Sequence, residues 1–339
     1  MDERVHERRA AILRAVVEEY VETAQPVGSG SVAGRGGMGS PATVRHDMVA
    51  LEQEGFLYQP HTSAGRVPTD QGYRFFVDTV VAPGELEAAQ RQLVREVFAR
   101  AHGALEETLR DASRLLTRLT DYAAVVVGPA HEAATIRSVQ LVDLGSRTAL
   151  VVAVLSNGAV EKGFLELSHE AGPDRLAAAG TALAATLQGA TLAKLTEPRK
   201  TGDPAVDALV AAALQALRIS HGAEIEPVFV GGTSQVAAAF PAVETVRDVL
   251  ALLEQQYLVV GLLQHVLERA RDDRPGVAIG TEHGVDVLAD CAVVVAPYSV
   301  EGEPAGSVAV LGPTRMHYPE TLAAVAAVSS RLTRWLAAN

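Results

Sequence analysis

The most constraining feature of this sequence is a short segment near the N-terminus whose two ends carry strong helix boundary signals. Ser40 is a favourable N-cap residue, Pro41 suits the first helical position, and Gly55 suits the left-handed residue after the last turn. Between these ends, apolar residues recur at i, i+4 and i+7 and predict one buried stripe. They are Val44, Met48 and Leu51. The segment therefore predicts a helix that packs on one face.

The opposite face of this predicted helix lacks the Lys and Glu residues that are typical of a solvated helix. It consists of small or uncharged residues, namely Ala42, Thr43, His46, Val49, Ala50 and Gln53. Arg45 lies beside them. Such a face suits close contact with another molecular surface.

The segments around this helix predict a characteristic order of elements. An amphipathic helix is predicted over 5–22 and a short helix over 29–35, where glycines allow a tight turn. After the capped helix come a short strand at 56–60, a loop at 61–66 and a helix over 69–81. This is the order of a helix-turn-helix followed by a wing. A capped helix in an ordinary small α+β core is the alternative that the pattern alone leaves open.

A winged helix-turn-helix would bring specific side chains to DNA. Its capped helix enters the major groove with the N-terminal end first, and its wing reaches the backbone or the minor groove. Arg45 can bind guanine with two hydrogen bonds, and His46 can donate to or accept from a base edge. Ser29 and Ser31 lie at the start of the short helix, where free N–H groups favour a phosphate.

The rest of the sequence predicts an α+β protein without a regular βαβ repeat. Helical patterns cover 85–121, 173–220, 243–271 and 318–336, and β-type runs cover 136–144, 148–155, 160–167, 285–297 and 307–311. Asn157-Gly158 is a strong hairpin signal, and residues 82–84 form a plausible linker. The apolar pattern of 243–271 predicts either a dimer interface or a buried core helix.

Composition excludes several classes of protein. The length of 339 residues suits two or three domains, and the net charge of −12 argues, taken alone, against a general nucleic-acid binder. The single cysteine, Cys291, lies in an apolar run, which fits a core position in a reducing cytoplasm. The sequence shows no metal-ligand cluster, P-loop, nucleophile elbow, secretory signal or membrane span. We expect a cytoplasmic protein that is not an enzyme, has no metal or other cofactor, and does not bind membranes.

Four segments resemble the heat-inducible transcription repressor family HrcA of bacteria. They are QPVGS at 25–29, SPATVRHDM at 40–48, PHTSAGRVPTDQGYRFFVD at 60–78 and GPTRMHYP at 312–319. The resemblance spans nearly the whole chain, and the third segment is long enough to be specific. Two positions depart from the family pattern: His46 stands where asparagine is common, and His317 stands where aspartate is usual.

This resemblance implies an architecture and a function. It implies an N-terminal winged-helix domain in 1–82, a GAF-like domain formed by 85–167 and 236–339, and a dimerisation domain inserted at 168–235. It also implies a homodimer that represses chaperone operons by binding double-stranded DNA at an inverted-repeat operator called CIRCE. Repression in the family is modulated by the GroE chaperonin. The alternative function is that of a GAF-type small-molecule sensor whose N-terminal module binds a protein partner.

Pattern and resemblance together predict a set of DNA-binding residues. They lie in the short helix at 29–35, in the capped helix, in the wing and in the helix that follows the wing. They are Ser29, Ser31, Ser40, Ala42, Thr43, Arg45, His46, His61, Thr62, Ser63, Gly65, Arg66 and Arg74. Residues 1–82 contain 8 Lys+Arg against 11 Asp+Glu, yet the stretch 28–46 contains no acidic residue. We therefore expect weak non-specific affinity for DNA, with binding that depends on a few arginines, helix N-termini and dimer symmetry.

Overall fold

The structure is a computed structural model of the chain. It describes residues 3–80, 85–101, 105–129, 135–145, 147–156, 159–167, 172–191, 195, 200–223, 227–270, 274–300 and 303–338. The predicted linker at 82–84 and the predicted Asn157-Gly158 turn lie outside these residues. The mixture of helices and antiparallel sheets confirms the predicted α+β class.

The N-terminal part consists of four helices and a small sheet. The helices are α1 (Glu3–Thr23), α2 (Ser29–Gly34), α3 (Pro41–Gln53) and α4 (Asp70–Val80), and the strands are β1 (Leu57–Tyr58) and β2 (Val67–Pro68). The two strands pair antiparallel, with Leu57 opposite Pro68. The predicted order of elements is confirmed. Apolar residues of α1 and α3, among them Ile12, Val16 and Val44, are fully buried between the helices.

A five-stranded antiparallel sheet forms the centre of the C-terminal part, with strand order β7-β3-β10-β9-β8. Its strands are β3 (Ala123–Val127), β7 (Val228–Gly231), β8 (Gly276–Ile279), β9 (Cys291–Val300) and β10 (Glu303–Pro313). On one face lie α5 (Ala88–Arg100), α6 (Leu105–Thr120) and α12 (Tyr318–Ala338), and on the other lie α9 (Thr233–Ala239), α10 (Val243–Glu254) and α11 (Gln256–Glu268). Alternate residues of each strand face the two helical layers, so the sheet is buried on both faces.

A second sheet is formed by β4 (Ile136–Gly145), β5 (Thr148–Leu155) and β6 (Val160–Glu166) in that order, and α7 (Pro173–Leu187) and α8 (Pro204–Ala223) pack on one of its faces. The chain leaves the five-stranded sheet after β3 and rejoins it at the adjacent β7. At this point the Gly128 N–H donates to the Pro227 carbonyl at 2.7 Å.

Strand pairing bears on the domain boundaries that the resemblance implies. The resemblance groups 85–167 with 236–339 around an insertion at 168–235, whereas in the described residues β4, β5 and β6 pair among themselves and β7 pairs with β3. Alternating hydrophobicity identifies a strand and its buried face. It does not identify the partner strand, because that choice depends on contacts that are distant in sequence.

The long helical pattern at 243–271 also differs from expectation, because it breaks at Gln255 into α10 and α11, which are bent by 96°. Their apolar residues belong to the core on that side of the sheet, which favours the core interpretation over the interface. Among the described residues no single helix has the length and composition of a membrane span, and only this bent pair meets that criterion jointly.

Cys291 begins β9, three residues after a short 3-10 turn at Asp286–Leu288, so the predicted strand at 285–297 starts later than expected. Its side chain is buried, in agreement with the predicted core position. Burial raises the pKa of the Cys291 thiol to about 12, which keeps it protonated and unreactive at neutral pH.

Candidate nucleic-acid interface

The N-terminal end of α3 is fixed by a side-chain cap. Ser40 has extended backbone angles, its hydroxyl oxygen accepts a hydrogen bond from the Thr43 N–H at 3.2 Å, and the hydroxyls of the two residues lie 3.0 Å apart. Pro41 occupies the first helical turn, as predicted, and Gly55 has a φ of +85° just beyond the helix. The first turn of α3 is therefore capped and at the surface, and its first N–H groups have no carbonyl partner within the helix.

The rotation of α3 about its own axis is fixed by Asp47, which the sequence analysis did not single out. This carboxylate lies on the buried stripe and is 1% exposed. Arg8 donates to it at 2.7 and 3.3 Å, and Arg9 donates to it at 3.5 Å. Both arginines belong to α1. Because an unpaired buried carboxylate is costly, the pair allows α3 one orientation on α1. The sequence does contain a signal for this pair, since Asp47 is an acidic residue on an otherwise apolar stripe.

Burial alone would raise the pKa of Asp47. The hydrogen bonds and positive charges of Arg8 and Arg9 together outweigh that effect and hold the pKa below its ordinary value. Asp47 is thus ionised at neutral pH. With this face buried, the small outer face of α3, including Ala42 and His46, points to solvent, and the charged Arg45 is exposed beside it.

The loop between β1 and β2, at 59–66, is shaped by one side chain that the sequence analysis also missed. The Gln59 amide donates to the backbone carbonyls of Thr62 at 3.1 Å and Ala64 at 2.8 Å. A turn hydrogen bond from the Ala64 N–H to the His61 carbonyl, at 2.8 Å, tightens the loop. His61, Thr62 and Ser63 are exposed at its tip.

The base of this loop is joined to the segment before α2. Val27 and Arg66 form an isolated antiparallel bridge with N–H to carbonyl distances of 2.9 and 2.8 Å. Gly65 is required there, because a Cβ atom at this position would collide with the Val27 backbone. Gly65 therefore allows two backbone segments to approach closely. Because glycine has no side chain, only its backbone atoms could make the predicted contact with DNA.

A groove of about 530 Å³ lies between the loop, α3 and the start of α2. It brings together six members of the predicted DNA-binding set, from α2, α3 and the loop: Ser29, Arg45, Thr62, Ser63, Gly65 and Arg66. The other lining residues are Val27, Gly28, Met48, Val49, Gln59 and Ala64. Within the described part of the chain, Arg45 forms no ion pair, so its charge is available on this surface.

Four predicted residues are placed differently from expectation. Ser29 is buried at the start of α2. The Ser31 hydroxyl donates to Glu19 of α1. Arg66 is 13% exposed and pairs with Glu52 of α3 at 2.9 Å. Arg74 pairs with Asp78 on its own helix and with Glu282 in the C-terminal part. Each side chain is thus buried or held by a partner within the chain, which local sequence patterns do not show.

Arg35 illustrates the same effect on the charge of this surface. The stretch 28–46 contains Arg35 and Arg45 and no acidic residue, but Arg35 pairs with Glu18 at 3.0 Å and with Glu19 at 3.5 Å. Its charge is therefore largely neutralised by α1. Arg45 is left as the principal positive charge beside the N-terminal end of α3.

The described residues contain no group of three or more His, Cys, Asp or Glu side chains arranged to hold a metal ion. The groove presents the Arg45 guanidinium and the hydroxyls of Thr62 and Ser63 near the N-terminal end of α3, and these groups can donate hydrogen bonds to an anion.

Comparison with known proteins identifies the class to which such a chain belongs. A family model described as the HrcA protein C-terminal domain matches residues 106–322. A crystal structure of a protein titled as hypothetical has a TM-score of 0.67 at 22% identity and covers 100% of this chain and 99% of its own, so the two share a fold.

Relatives in other bacteria extend the match over the whole length. A protein of Kineococcus radiotolerans is 38% identical over 98% of this chain and 99% of its own, and one of Pseudarthrobacter chlorophenolicus is 37% identical over 97% and 98%. A protein of Halalkalibacterium halodurans is 33% identical over 97% of both chains. All three bear the name heat-inducible transcription repressor HrcA. The chain belongs to the HrcA family.

Proposed function

We propose that this protein is a heat-inducible, sequence-specific transcription repressor that binds an inverted-repeat operator of the CIRCE type, in front of chaperone operons, as a homodimer in the cytoplasm. The observation that carries the proposal is the geometry of the first 80 residues. A capped helix with a small, exposed outer face lies across a groove from an ordered loop, and Arg45 lies in that groove.

In this proposal α1 to α4 with the β1–β2 loop form a winged helix-turn-helix. The helix α3 enters the major groove with its N-terminal end first, and the β1–β2 loop is the wing. Arg45 then reads a base edge, His46 contacts a neighbouring base, and Ser40, Ala42 and Thr43 fit against the DNA backbone. His61, Thr62 and Ser63 provide the wing contacts, because their side chains are exposed at its tip.

The C-terminal part divides, in this proposal, into a GAF-like domain and an insertion. The five-stranded sheet with its two helical layers is the GAF-like domain. The hydrogen bond from Gly128 to Pro227 places the exit and the return of the chain side by side, which supports an insertion between these residues. The inserted domain then consists of β4, β5, β6, α7 and α8 and is larger than 168–235.

The open face of the three-stranded sheet supports the homodimer. Val142, Leu150 and Phe164 lie opposite one another in register across the three strands, on the face away from α7 and α8. Phe164 is 71% exposed, and Val142, Leu144 and Val160 are exposed as well. Gln140 and Lys162 lie on the same face, one row further along. A sheet face that exposes several apolar side chains in this way is typical of an interaction surface. A second copy of the chain covers it in the dimer, which also supplies the two-fold symmetry that an inverted repeat requires.

Regulation by heat and by the GroE chaperonin is proposed from the composition of the inserted domain. Its helices bury leucines such as Leu183 together with small residues: Ala179 and Ala213 are fully buried, and a Cβ atom at Gly163 of β6 would lie 2.9 Å from Ala216 of α8. Small side chains bury less apolar area per residue, so local unfolding there costs less free energy. Heat then loosens this domain, repression is lost, and the chaperonin restores the active fold.

Fluorescence anisotropy with labelled duplexes tests the proposal. One duplex carries a chaperone-operon inverted repeat, a second carries scrambled half-sites of the same composition, and both are titrated at moderate salt with and without the chaperonin. We expect tight binding to the repeat only. Equal affinity for both duplexes rules out a sequence-specific repressor, and binding to neither, even with chaperonin, favours a sensor whose N-terminal module binds protein.

Heating tests the regulatory part separately. The protein is heated, cooled and assayed again on the inverted-repeat duplex. The proposal expects affinity to return only when the chaperonin is added. Full recovery without chaperonin contradicts it.

A further inference from the structure

The helix α4 lies against the C-terminal part through one face, which carries Asp70, Tyr73 and Arg74. These positions are three and four residues apart and therefore point in the same direction. Opposite them lies the short 3-10 turn at Gly280–His283, which follows β8. The wing motif at 60–78 thus ends in a helix that packs on α1 and also contacts residues some two hundred positions away.

Arg74 and Glu282 form the centre of this contact. The Arg74 guanidinium binds the Glu282 carboxylate with two hydrogen bonds, one of them from Nε at 2.9 Å. Arg74 Nη2 also donates to the Val277 carbonyl at 2.8 Å. Glu282 is held from its own side, because one of its carboxylate oxygens accepts from the Ile279 N–H at 2.9 Å. The planar Arg74 guanidinium thus binds both oxygens of a carboxylate that is itself held in place. Such a two-bond pair, called the fork below, fixes the direction as well as the distance between the two side chains.

Two neighbouring contacts constrain the same joint. Asp70 accepts a hydrogen bond from the Thr281 backbone and lies directly on Gly280, whose φ is +58°. A Cβ atom at residue 280 would collide with the Asp70 carboxylate. The Tyr73 ring lies 6.1 Å from the ring of Tyr318, which belongs to the segment at 312–319 and begins α12. Two of the four family-like segments, 60–78 and 312–319, therefore meet at this joint.

We propose that Arg74 and Glu282 are positioning residues that fix the orientation of the α1–α4 unit on the C-terminal part, and so set the half-site spacing that the dimer accepts. The effect on half-site spacing rests on the proposed function. Arg74 lies outside the groove between α3 and the wing, and its side chain is occupied by Glu282, Val277 and Asp78. It acts on DNA only through the orientation of α4.

A fixed orientation of the α1–α4 unit should affect how the dimer responds to the spacing between half-sites. In a two-fold dimer, the recognition helices must match half-sites separated by whole helical turns of about 10 base pairs. A rigid joint makes a wrong spacing costly, whereas a loose joint lets each unit adjust. Loss of the Arg74–Glu282 fork should therefore reduce discrimination between spacings more than it reduces affinity for a single half-site.

The first experiment measures spacing preference. Wild type, Glu282→Ala, Arg74→Ala and the double variant are titrated with the repeat at its natural spacing and at a spacing lengthened by about half a helical turn, about 5 base pairs. The preference is the ratio of the affinities for the natural and the lengthened spacing. We expect this ratio to fall about tenfold in each single variant and to fall no further in the double variant. Asp111→Ala, which breaks the exposed Arg114–Asp111 pair of α6, is the matched control and should keep the preference.

The second experiment does not depend on DNA. Spin labels on Gln53→Cys and Gln264→Cys, both exposed positions, report the distance from α3 to α11 by electron paramagnetic resonance, with excess unlabelled protein to isolate distances within one chain. Cys291 is buried and does not take the label. We expect one narrow distance distribution in wild type and a broad one in Glu282→Ala. Gly280→Ala, which leaves the fork residues in place, should broaden it as well.

The outcomes separate the two proposals. A cooperative thermal transition confirms that each variant is folded. Folded variants with unchanged spacing preference and a narrow distance distribution overturn the positioning role. If wild type does not distinguish the inverted repeat from scrambled DNA, the proposed function fails, and the distance distribution alone then decides whether the fork orients the N-terminal unit.

Discussion

Arg8 and Asp47 form a pair in which the α1 guanidinium binds a carboxylate buried on the inner face of α3, with Nε 2.7 Å from Oδ2. Arg9 supports the same carboxylate and also pairs with Glu54 at 2.8 Å, near the end of α3. The helix is thus held to α1 near its middle and near its C-terminal end. Its N-terminal end is left at the surface.

Removal of the Asp47 carboxylate should lower stability. We expect Asp47→Ala to reduce the free energy of unfolding by about 1.5–3 kcal/mol, the range for hydrogen bonds to charged groups. Urea denaturation followed by circular dichroism measures it. The exposed pair of Arg114 and Asp111 serves as the control, because Asp111→Ala should change stability by no more than about 0.5 kcal/mol. Equal effects of the two variants would mean that Asp47 does not hold α3.

The same pair predicts a dependence of stability on pH. Because the folded state holds the pKa of Asp47 below its ordinary value, the carboxylate stabilises the fold at neutral pH. This contribution is fully present above pH of about 4 and is lost as the pH falls through the lowered pKa. Wild type should therefore lose more stability than Asp47→Asn between pH 5 and about pH 2. Parallel urea titrations across this range check the difference, and identical slopes would contradict it.

The N-cap of α3 allows stability to be separated from DNA binding. Ser40→Ala removes the cap that accepts from Thr43 and should cost about 0.5–2 kcal/mol in thermal or urea unfolding. Ser40→Asp keeps a capping oxygen and should retain that stability. It also adds a negative charge where DNA phosphates would lie, so its operator affinity should fall below that of Ser40→Ala. Higher affinity for Ser40→Asp would place the start of α3 away from DNA.

The ends of α3 and its apolar buried face were largely predictable because the signals are local. Ser40, Pro41 and Gly55 mark its ends, and the i, i+4, i+7 stripe marks its buried face within a single turn or two of helix. The contribution of Asp47 was less evident, since a carboxylate on an apolar stripe becomes favourable only when its cationic partners on another helix are known.

Side-chain partners were the part that the sequence did not reveal. Ser31, Arg66 and Arg74 all have the chemistry of DNA contacts, and each is bound by a carboxylate elsewhere in the chain. The partner of Arg74 is 208 positions away. Long-range ion pairs leave no periodic trace in sequence, and neither does the pairing of β4, β5 and β6 with one another.

The contrast between Arg45 and Arg66 gives a prediction about specificity. Arg45→Ala should lower operator affinity by about 1–3 kcal/mol and relax the preference at one base position, because its guanidinium is available in the groove. Arg66→Ala should instead lower stability and leave the salt dependence of binding unchanged, since Arg66 is held by Glu52. Anisotropy titrations at several salt concentrations test both. If Arg66→Ala reduces the slope of log affinity against log salt by about one, Arg66 leaves Glu52 to bind a phosphate.

Phe164 predicts the behaviour of the dimer. A charge at the centre of an apolar face that pairs with a second copy should disrupt the interface, because it would be buried without a partner. Phe164 is 71% exposed in the single chain, so Phe164→Asp should leave the fold intact and its thermal transition cooperative. Sedimentation velocity should then show a monomer at concentrations where wild type is a dimer, and affinity for the inverted repeat should fall toward that for one half-site. Tyr257→Asp is the matched control, since Tyr257 is 61% exposed at the bend between α10 and α11. A dimer that survives Phe164→Asp and dissociates with Tyr257→Asp would move the interface from the three-stranded sheet to that bend.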